Sequence, residues 1–193
     1  MKKRLAWILV LFFMCIVASV GAEQENDLFF AQFEGMEWSF SSGAGGWSTD
    51  MRILPDGSFS GEYHDSEMGD TSDEYPDGTI YGCAFTGRMS FVEQLDENTW
   101  KIRVDKLNTD GEVGQESIDE GLRFIVTDPY GISESDEMIL YRPGTPVDFL
   151  SEEMQMWAHL FDQEEAISEL DNWFLSSELN ESGFVGYWFD ANQ

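Results

Sequence analysis

The chain has 193 residues, of which 38 are Asp or Glu and 10 are Lys or Arg, and its formal net charge is −28. This charge argues against binding to nucleic acid or to an anionic membrane surface, because both interactions rest on basic side chains. Aromatic residues make up 15% of the chain, so it can bury a core, unlike acidic disordered chains, which have few aromatic residues.

The first 22 residues are typical of a secretory signal peptide. Basic residues 2–4 precede a long apolar run, and residues 20–22 (Val-Gly-Ala) provide small side chains ahead of a polar segment. We expect cleavage near Ala22 and a secreted or otherwise extracytoplasmic protein. The alternative is a membrane anchor formed by residues 5–22, although a spanning helix needs ~20 apolar residues and this run is shorter.

Residues 23–193 are predicted to form a single β-rich domain. Residues 1–22 contain three basic residues and no acidic one, so the remaining 171 carry 7 basic and 38 acidic residues and a net charge of −31. Cys83 is the only cysteine among them, so an intramolecular disulfide is excluded.

Alternating apolar and polar residues predict strands along most of the chain. The pattern is clear around Trp38 and again over 47–53, after a Gly-rich link. A long acidic loop is expected up to Glu120. Further strands are expected at 58–63, 79–85, 88–92, 100–104, 122–127, 137–141 and from 183 onward.

Residues 54–57 (Leu-Pro-Asp-Gly) predict the register of the first hairpin, because they suit a type I turn followed by an αL bulge. The predicted partners are Ile53 with Phe59, Met51 with Gly61, Thr49 with Tyr63, Arg52 with Ser60 and Asp50 with Glu62. The last pair places two like charges side by side, which costs roughly a few tenths of a kcal/mol unless a cation lies nearby.

The pattern becomes helical after residue 150. Ser151 can cap a helix that has acidic residues in its first turn. Asp162 with Glu165 resembles a second capping box. The apolar residues at helical spacing are Met154, Trp157, Ala158 and Phe161, then Ile167, Leu170 and Phe174. We therefore expect a helical segment at about 151–174.

These elements together indicate a mainly β (α+β) fold. Strands at short, regular spacing favour an antiparallel barrel or a strongly curved sheet of about eight strands. One or two helices are expected near the C-terminus, followed by a closing strand.

Three segments resemble a recurrent group of secreted bacterial proteins of unknown function. They are residues 56–87, which begin DGSFSGEYHDSEMGDTSDEYPDGT, residues 121–131 (GLRFIVTDPYG) and residues 140–150 (LYRPGTPVDFL). The similarity covers about 47–161 and implies no activity. The chain also resembles lipocalin and streptavidin-like barrels in an early Gly–Trp strand, the DGSFSGEY hairpin and residues 127–130, which implies the architecture alone.

The loop at 62–77 has seven acidic residues and no Lys or Arg. Carboxylate oxygens suit Ca²⁺, whose extracellular sites work at ~10⁻⁴–10⁻³ M. The candidate metal ligands are Asp65, Glu67, Asp70, Asp73, Glu74 and Asp77. Their spacing departs from the EF-hand pattern, because Gly69 takes the fifth position, and a solvated acidic loop is the alternative. No other cofactor is expected.

No sequence motif of a known catalytic class is found. Cys83 lies mid-strand among apolar residues, and His64 leads into the acidic loop, so neither is predicted to act in catalysis. Trp38, Trp47 and Trp100 lie on apolar strand faces and are predicted core residues, whereas Trp173 and Trp188 are the predicted exposed ones.

Two functions are compatible with these features. We favour a secreted, non-catalytic, lipocalin-like module that binds a small ligand or a partner protein, which predicts a cavity or an exposed apolar patch. The alternative is a secreted hydrolase that uses carboxylates, with or without calcium. Among 38 acidic residues, no catalytic pair stands out.

The calcium prediction can be tested by thermal denaturation. With a Kd of ~10⁻⁴ M, about 10 mM CaCl₂ should stabilise the native state by about 2.7 kcal/mol and raise Tm by roughly 5–10 °C. NaCl at matched ionic strength is the control, because screening also stabilises an acidic chain. Asp70→Asn with Asp73→Asn should remove the calcium-specific part. Equal shifts in the two salts would refute calcium binding.

Overall fold

A computed structural model describes residues 25–162 and 167–188. The predicted signal peptide and Glu165 of the second capping box lie outside these residues. Within them, no helix combines the length and the apolar character needed to cross a membrane.

The described residues form ten strands and a few short helices. Residues 25–30 are helical (α1), and α2 spans Glu152–Trp157. Short 3₁₀ helices span Ala31–Phe33, Val147–Phe149 and Leu160–Asp162. The strands are β1 (Met36–Ser41), β2 (Trp47–Ile53), β3 (Ser58–Glu67), β4 (Gly78–Gln94), β5 (Thr99–Thr109), β6 (Glu116–Asp119), β7 (Leu122–Val126), β8 (Glu137–Tyr141), β9 (Trp173–Ser177) and β10 (Ser182–Trp188).

Eight strands close into an antiparallel barrel in the order β3-β2-β1-β10-β9-β8-β5-β4, with β4 pairing back to β3. The prediction of a mainly β fold with an antiparallel barrel of about eight strands is therefore confirmed. The other two strands extend the sheet outside the barrel. There β7 runs parallel to the first residues of β4, and β6 pairs with β7.

The β2–β3 hairpin has the predicted register, with all five predicted residue pairs present. The Leu54 N–H donates to the Ser58 carbonyl at 2.8 Å, and the Gly57 N–H donates to the Leu54 carbonyl at 2.9 Å. Gly57 has φ 79°, the left-handed conformation that the predicted bulge requires. The turn residues thus fix which side chains of the hairpin face the interior.

Strand β4 runs unbroken for 17 residues, whereas the sequence predicted two strands separated near Gly87. Gly87 pairs with Phe59 of β3, and Gly61 of β3 pairs with Phe85. A Cβ atom at Gly87 would overlap the Phe59 ring, and one at Gly61 would overlap the Phe85 ring. Each ring covers the glycine opposite it. The glycines leave room for the rings, and β4 continues through Gly87 without a break.

The long loop predicted up to Glu120 is wrong in its second half, because β6 and β7 form a hairpin there. Its two-residue turn consists of Glu120 (φ 47°) and Gly121 (φ 84°). Two successive residues with positive φ are typical of the type I′ turn that joins tightly paired strands. The sequence shows no alternating apolar pattern there because β6 has only four residues, all of them exposed.

Side chains fill the interior of the barrel. Most strands contribute large buried residues, including Trp38, Phe40, Met51, Phe85, Met89 and Phe184. Phe30 and Phe33 are buried against this core. The side chain of Asn26 accepts a hydrogen bond from the Phe91 N–H at 2.8 Å and so ties α1 to β4. Because side chains fill the interior, we expect a ligand site to lie on the outside of the barrel.

Helix α2 begins where the sequence predicts. Ser151 Oγ accepts a hydrogen bond from the Met154 N–H at 3.2 Å, and two glutamates occupy the first turn. The helix ends at Trp157, and His159 has φ 56°. Phe161 lies beyond its end and is exposed.

The helix predicted through residue 174 is wrong. Residues 167–172 are not helical, and β9 begins at Trp173. Leu170 and Phe174 are buried together with α2 residues in a second cluster outside the barrel. Their spacing therefore reflects burial against the same neighbours, reached from a loop and a strand.

Gly87→Ala should lower the free energy of unfolding by about 1–3 kcal/mol, because the new methyl group overlaps the Phe59 ring and the Lys106 carbonyl. Gly46→Ala is the matched control, since nothing lies within 4 Å of a Cβ there. It should change stability by less than about 0.5 kcal/mol. Urea denaturation measures both variants, and equal stabilities would contradict the ring-over-glycine packing.

Candidate functional site

A groove of about 860 Å³ crosses the outer face of the barrel over strands β1 to β5. Side chains alternate between the two faces of a strand, so its walls come from the residues between the core positions. Gly61 and Phe85, which pair across β3 and β4, also line the groove.

The groove is lined mainly by polar and charged side chains. Among the described residues that line the groove, only Arg52 and His64 are basic. Arg52 Nη2 lies 3.3 Å from Glu37 Oε2. The acidic lining residues are Glu37, Asp50, Glu62 and Asp110. Four carboxylates against one guanidinium give the groove a negative charge at neutral pH.

One wall contains hydrogen bonds between neighbouring side chains of β2 and β3. Ser48 Oγ donates to Asp50 Oδ2 at 2.6 Å and lies 3.3 Å from His64 Nδ1. Asp50 faces Glu62 across the strands, as predicted. Ser48 thus orients the Asp50 carboxylate beside a second carboxylate that opens onto the same groove.

A second recess of about 290 Å³ adjoins the groove, and Glu62 and Ala84 line both. It lies where β4 meets the β6–β7 hairpin. Its apolar lining residues include Ile80, Phe124, Ile125 and Val126. The outer face therefore passes from an acidic groove into a smaller, more apolar recess.

The six predicted calcium ligands lie in two settings. Asp65 and Glu67 belong to β3, whereas Asp70, Asp73, Glu74 and Asp77 lie in the connection between β3 and β4. In the part of the chain that the structure describes, no three His, Cys, Asp or Glu side chains are grouped to hold a metal ion. Calcium binding stays a prediction. Because Asp70 is engaged by Arg123, Asp73→Asn alone is the cleaner variant for the calcium test.

Arg123 of β7 attaches the acidic loop to the sheet. Its Nη2 donates to Asp70 Oδ2, its Nε donates to Thr79 Oγ1 at 3.1 Å, and its guanidinium lies 4.3 Å from the centre of the Tyr75 ring. Tyr81 donates a further hydrogen bond to Asp70 at 3.3 Å. Desolvation raises the pKa of Asp70, but hydrogen bonding with Thr79 and the charge of Arg123 outweigh it, so this pKa lies below its ordinary value.

Cys83 and His64 do not form a catalytic pair. Cys83 faces Tyr63 across the strands and His64 faces Gly82, so the two side chains project from opposite faces of the sheet. Burial, with a smaller contribution from the charge of Asp128, raises the pKa of Cys83 to about 11. The thiol is therefore protonated at neutral pH, which makes it a poor nucleophile.

The tryptophans mostly pack in the core. Trp38 is buried, and Trp47 and Trp100 pack against the core as predicted. Trp173 was predicted to be exposed, but it also packs there, with its ring centre 5.8 Å from that of Trp100. Trp188 is 63% exposed, as expected.

The sequence did not indicate the groove. Its carboxylates come from β1, β2, β3 and the residue after β5, and each looks like an ordinary exposed residue of an alternating strand. The like-charge pair of Asp50 and Glu62, predicted from the hairpin register, is the one signal that marks its position. The pairing of β1 with β2, and of β5 with β4 and β4 with β3, then brings the other two carboxylates to it.

Comparison of the chain with protein-family models, with curated proteins and with solved structures finds no match. The resemblance to a group of secreted bacterial proteins therefore stays a prediction. Function has to be inferred from the geometry and charge of the site.

Arg123→Met should raise the pKa of Asp70 towards its ordinary value of 3.8. In the native protein, ionised Asp70 stabilises the fold above about that pH, and this contribution is lost as the pH falls through the lowered pKa. The variant should therefore lose less stability on acidification. Carboxyl ¹³C NMR titration measures the change directly.

Asp56 is the internal control for this titration. Its pKa is lowered mainly by hydrogen bonds from Ser58, whose Oγ lies 2.6 Å from Asp56 Oδ1. Replacement of Arg123 should leave it unchanged. If Asp70 titrates identically in both proteins, the ion pair does not control its ionisation.

Proposed function

We propose that the protein is a secreted, non-catalytic binding module and that the groove on its outer face is its ligand site. The barrel supports this proposal at the level of architecture, because small barrels serve widely as rigid scaffolds for binding surfaces. A lipocalin-like module would hold its ligand inside the barrel, but aromatic side chains fill the interior here. The ligand is therefore assigned to the outside.

The observation that carries the proposal is a groove of about 860 Å³ in which carboxylates face one another. This volume lies within the range of ~300–1,000 Å³ that is typical of small-molecule sites. The groove is built on strands, which hold its side chains more rigidly than loops do. Asp50 and Glu62, which pair directly across β2 and β3, both line it.

The charge of the lining indicates the class of ligand. A cation placed between Asp50 and Glu62 would relieve their mutual repulsion, and at ~4 Å each contact contributes about 1 kcal/mol in water and more where water is excluded. Ser60, Thr86 and Asn108 add hydrogen-bonding groups to the lining. We infer a small cationic ligand that also forms hydrogen bonds.

The carboxylates of the groove also keep the hydrolase alternative open, because paired carboxylates are the catalytic groups of most glycosidases. Asp50 and Glu62 are the pair that this alternative would use. Incubation of the protein with a panel of glycans distinguishes the two functions. Turnover that is abolished by Glu62→Gln would replace the binding proposal with the hydrolase.

Spermidine is a suitable probe of the groove, because it is a flexible polycation with hydrogen-bond donors. It should shift the backbone amide NMR signals of β2 and β3 on the groove face. Asp50→Asn with Glu62→Gln should weaken binding at least tenfold, which corresponds to about 1.4 kcal/mol. Binding should also weaken as salt concentration rises.

The matched control removes the same charge elsewhere. Glu97 and Glu178 are exposed and do not line the groove. Glu97→Gln with Glu178→Gln should leave the spermidine affinity within about twofold of the native value, since distant surface charges are screened. Equal weakening by both double variants would show attraction to the overall charge and would refute a site in the groove.

A further inference from the structure

Strand β6 forms the edge of the sheet outside the barrel. Within the described residues it pairs with β7 on one side and with no strand on the other. Such an edge presents unpaired backbone N–H and C=O groups, which another extended chain can pair with. No residue of β6 lines the groove, so this edge is independent of the proposed ligand site.

The pairing pattern shows which residues hold the free backbone groups. The Val126 N–H donates to the Gln115 carbonyl at 2.9 Å, which makes these two residues a hydrogen-bonded position of the hairpin. Such positions alternate along an antiparallel pair, so Ser117 points its backbone groups towards β7. Glu116 and Ile118 therefore point theirs outward.

Apolar side chains flank this edge on both faces of the hairpin. Ile118 is 46% exposed on one face, and Phe124 is 39% exposed on the other. Phe124 and Ser117 pair across β6 and β7, and both line the recess of about 290 Å³. An added strand would cover Ile118 with side chains on one face and would extend the wall of the recess on the other.

The charge of the residues around β6 determines which kind of chain can pair with this edge. Residues 110–120 include five acidic side chains and no Lys or Arg. Arg123, the basic residue of β7, is already engaged by Asp70. A second copy of this chain would bring a net charge of −28 against the same acidic edge, whereas a basic segment would neutralise it.

We propose that β6 is a strand-addition edge that takes an extended segment of a partner protein in which basic and apolar residues alternate. Acidic residues on short edge strands protect proteins from pairing with their own copies. The same residues attract a basic strand, so protection from self-association and selection of the partner have one physical cause. The backbone of Glu116 and Ile118 supplies the hydrogen bonds.

A blocked nine-residue peptide of alternating Lys and Val is the probe. It should bind the purified protein with a Kd below about 1 mM and slow hydrogen exchange of the Glu116 and Ile118 amides. Ile118→Pro removes one outward N–H without removing a bond to β7, and proline is tolerated at such edge positions. This variant should bind the peptide at least tenfold more weakly.

Two controls separate backbone pairing from charge. Ile118→Thr retains the N–H and the charge and should keep the affinity within about threefold. A peptide of alternating Lys and Gly has the same charge but a poor strand propensity, and it should bind at least tenfold more weakly. Asp50→Asn, which changes a residue that lines the groove and not the recess, should leave peptide binding unchanged, so this test is separate from that of the groove.

The opposite results overturn the proposal. Equal binding to Ile118→Pro and to the native protein, or no slowing of exchange at Glu116 and Ile118, would mean that the peptide senses charge alone. An absence of binding at about 1 mM peptide would also overturn the proposal. A dimer in sedimentation equilibrium that Ile118→Pro dissociates would make a second copy the occupant of the edge.

Discussion

The barrel depends on the packing of phenylalanine rings over glycines in the paired strands β3 and β4. Phe59 covers Gly87 and Phe85 covers Gly61, and the two rings meet at a centroid distance of 6.2 Å. A side chain at either glycine would hold the ring away from the opposite strand. Without one, large aromatic groups can occupy the concave side of two strongly curved strands.

Strand β4 also takes part in both the barrel and the sheet outside it. Register shifts after Arg88 and after Phe91 indicate bulges, which bend and twist a strand further. Both bulges lie in the part of β4 that pairs with β5 in the barrel (85–94), while residues 78–82 pair with β7 outside it. One long strand thus joins the closed barrel to an open sheet edge.

The features that could be predicted from the sequence are those determined by residues close together in the chain. Residues 54–57 determine a hairpin register through turn geometry, and Ser151 starts a helix through one hydrogen bond, so both predictions were confirmed. The helix predicted through Phe174 was wrong because Leu170 and Phe174 are buried against α2 by tertiary packing, which spacing alone does not reveal. The groove was missed for a related reason, since the β2–β3 hairpin accounts only for Asp50 and Glu62, whereas Glu37 and Asp110 join them through the pairing of five strands.

A filled barrel with this composition has a definite electrostatic consequence. The interior accepts apolar side chains, so nearly all the acidic residues must lie on the surface, where a convex face spreads their field into water. A concave face does the opposite, because its low-dielectric walls concentrate the potential between them. The groove over β2 and β3 is such a recess, and Glu37, Asp50, Glu62 and Asp110 line it. The aromatic packing that fills the interior thus removes it as a binding site and leaves the acidic residues outside, where four of them line the groove and attract a cation most strongly.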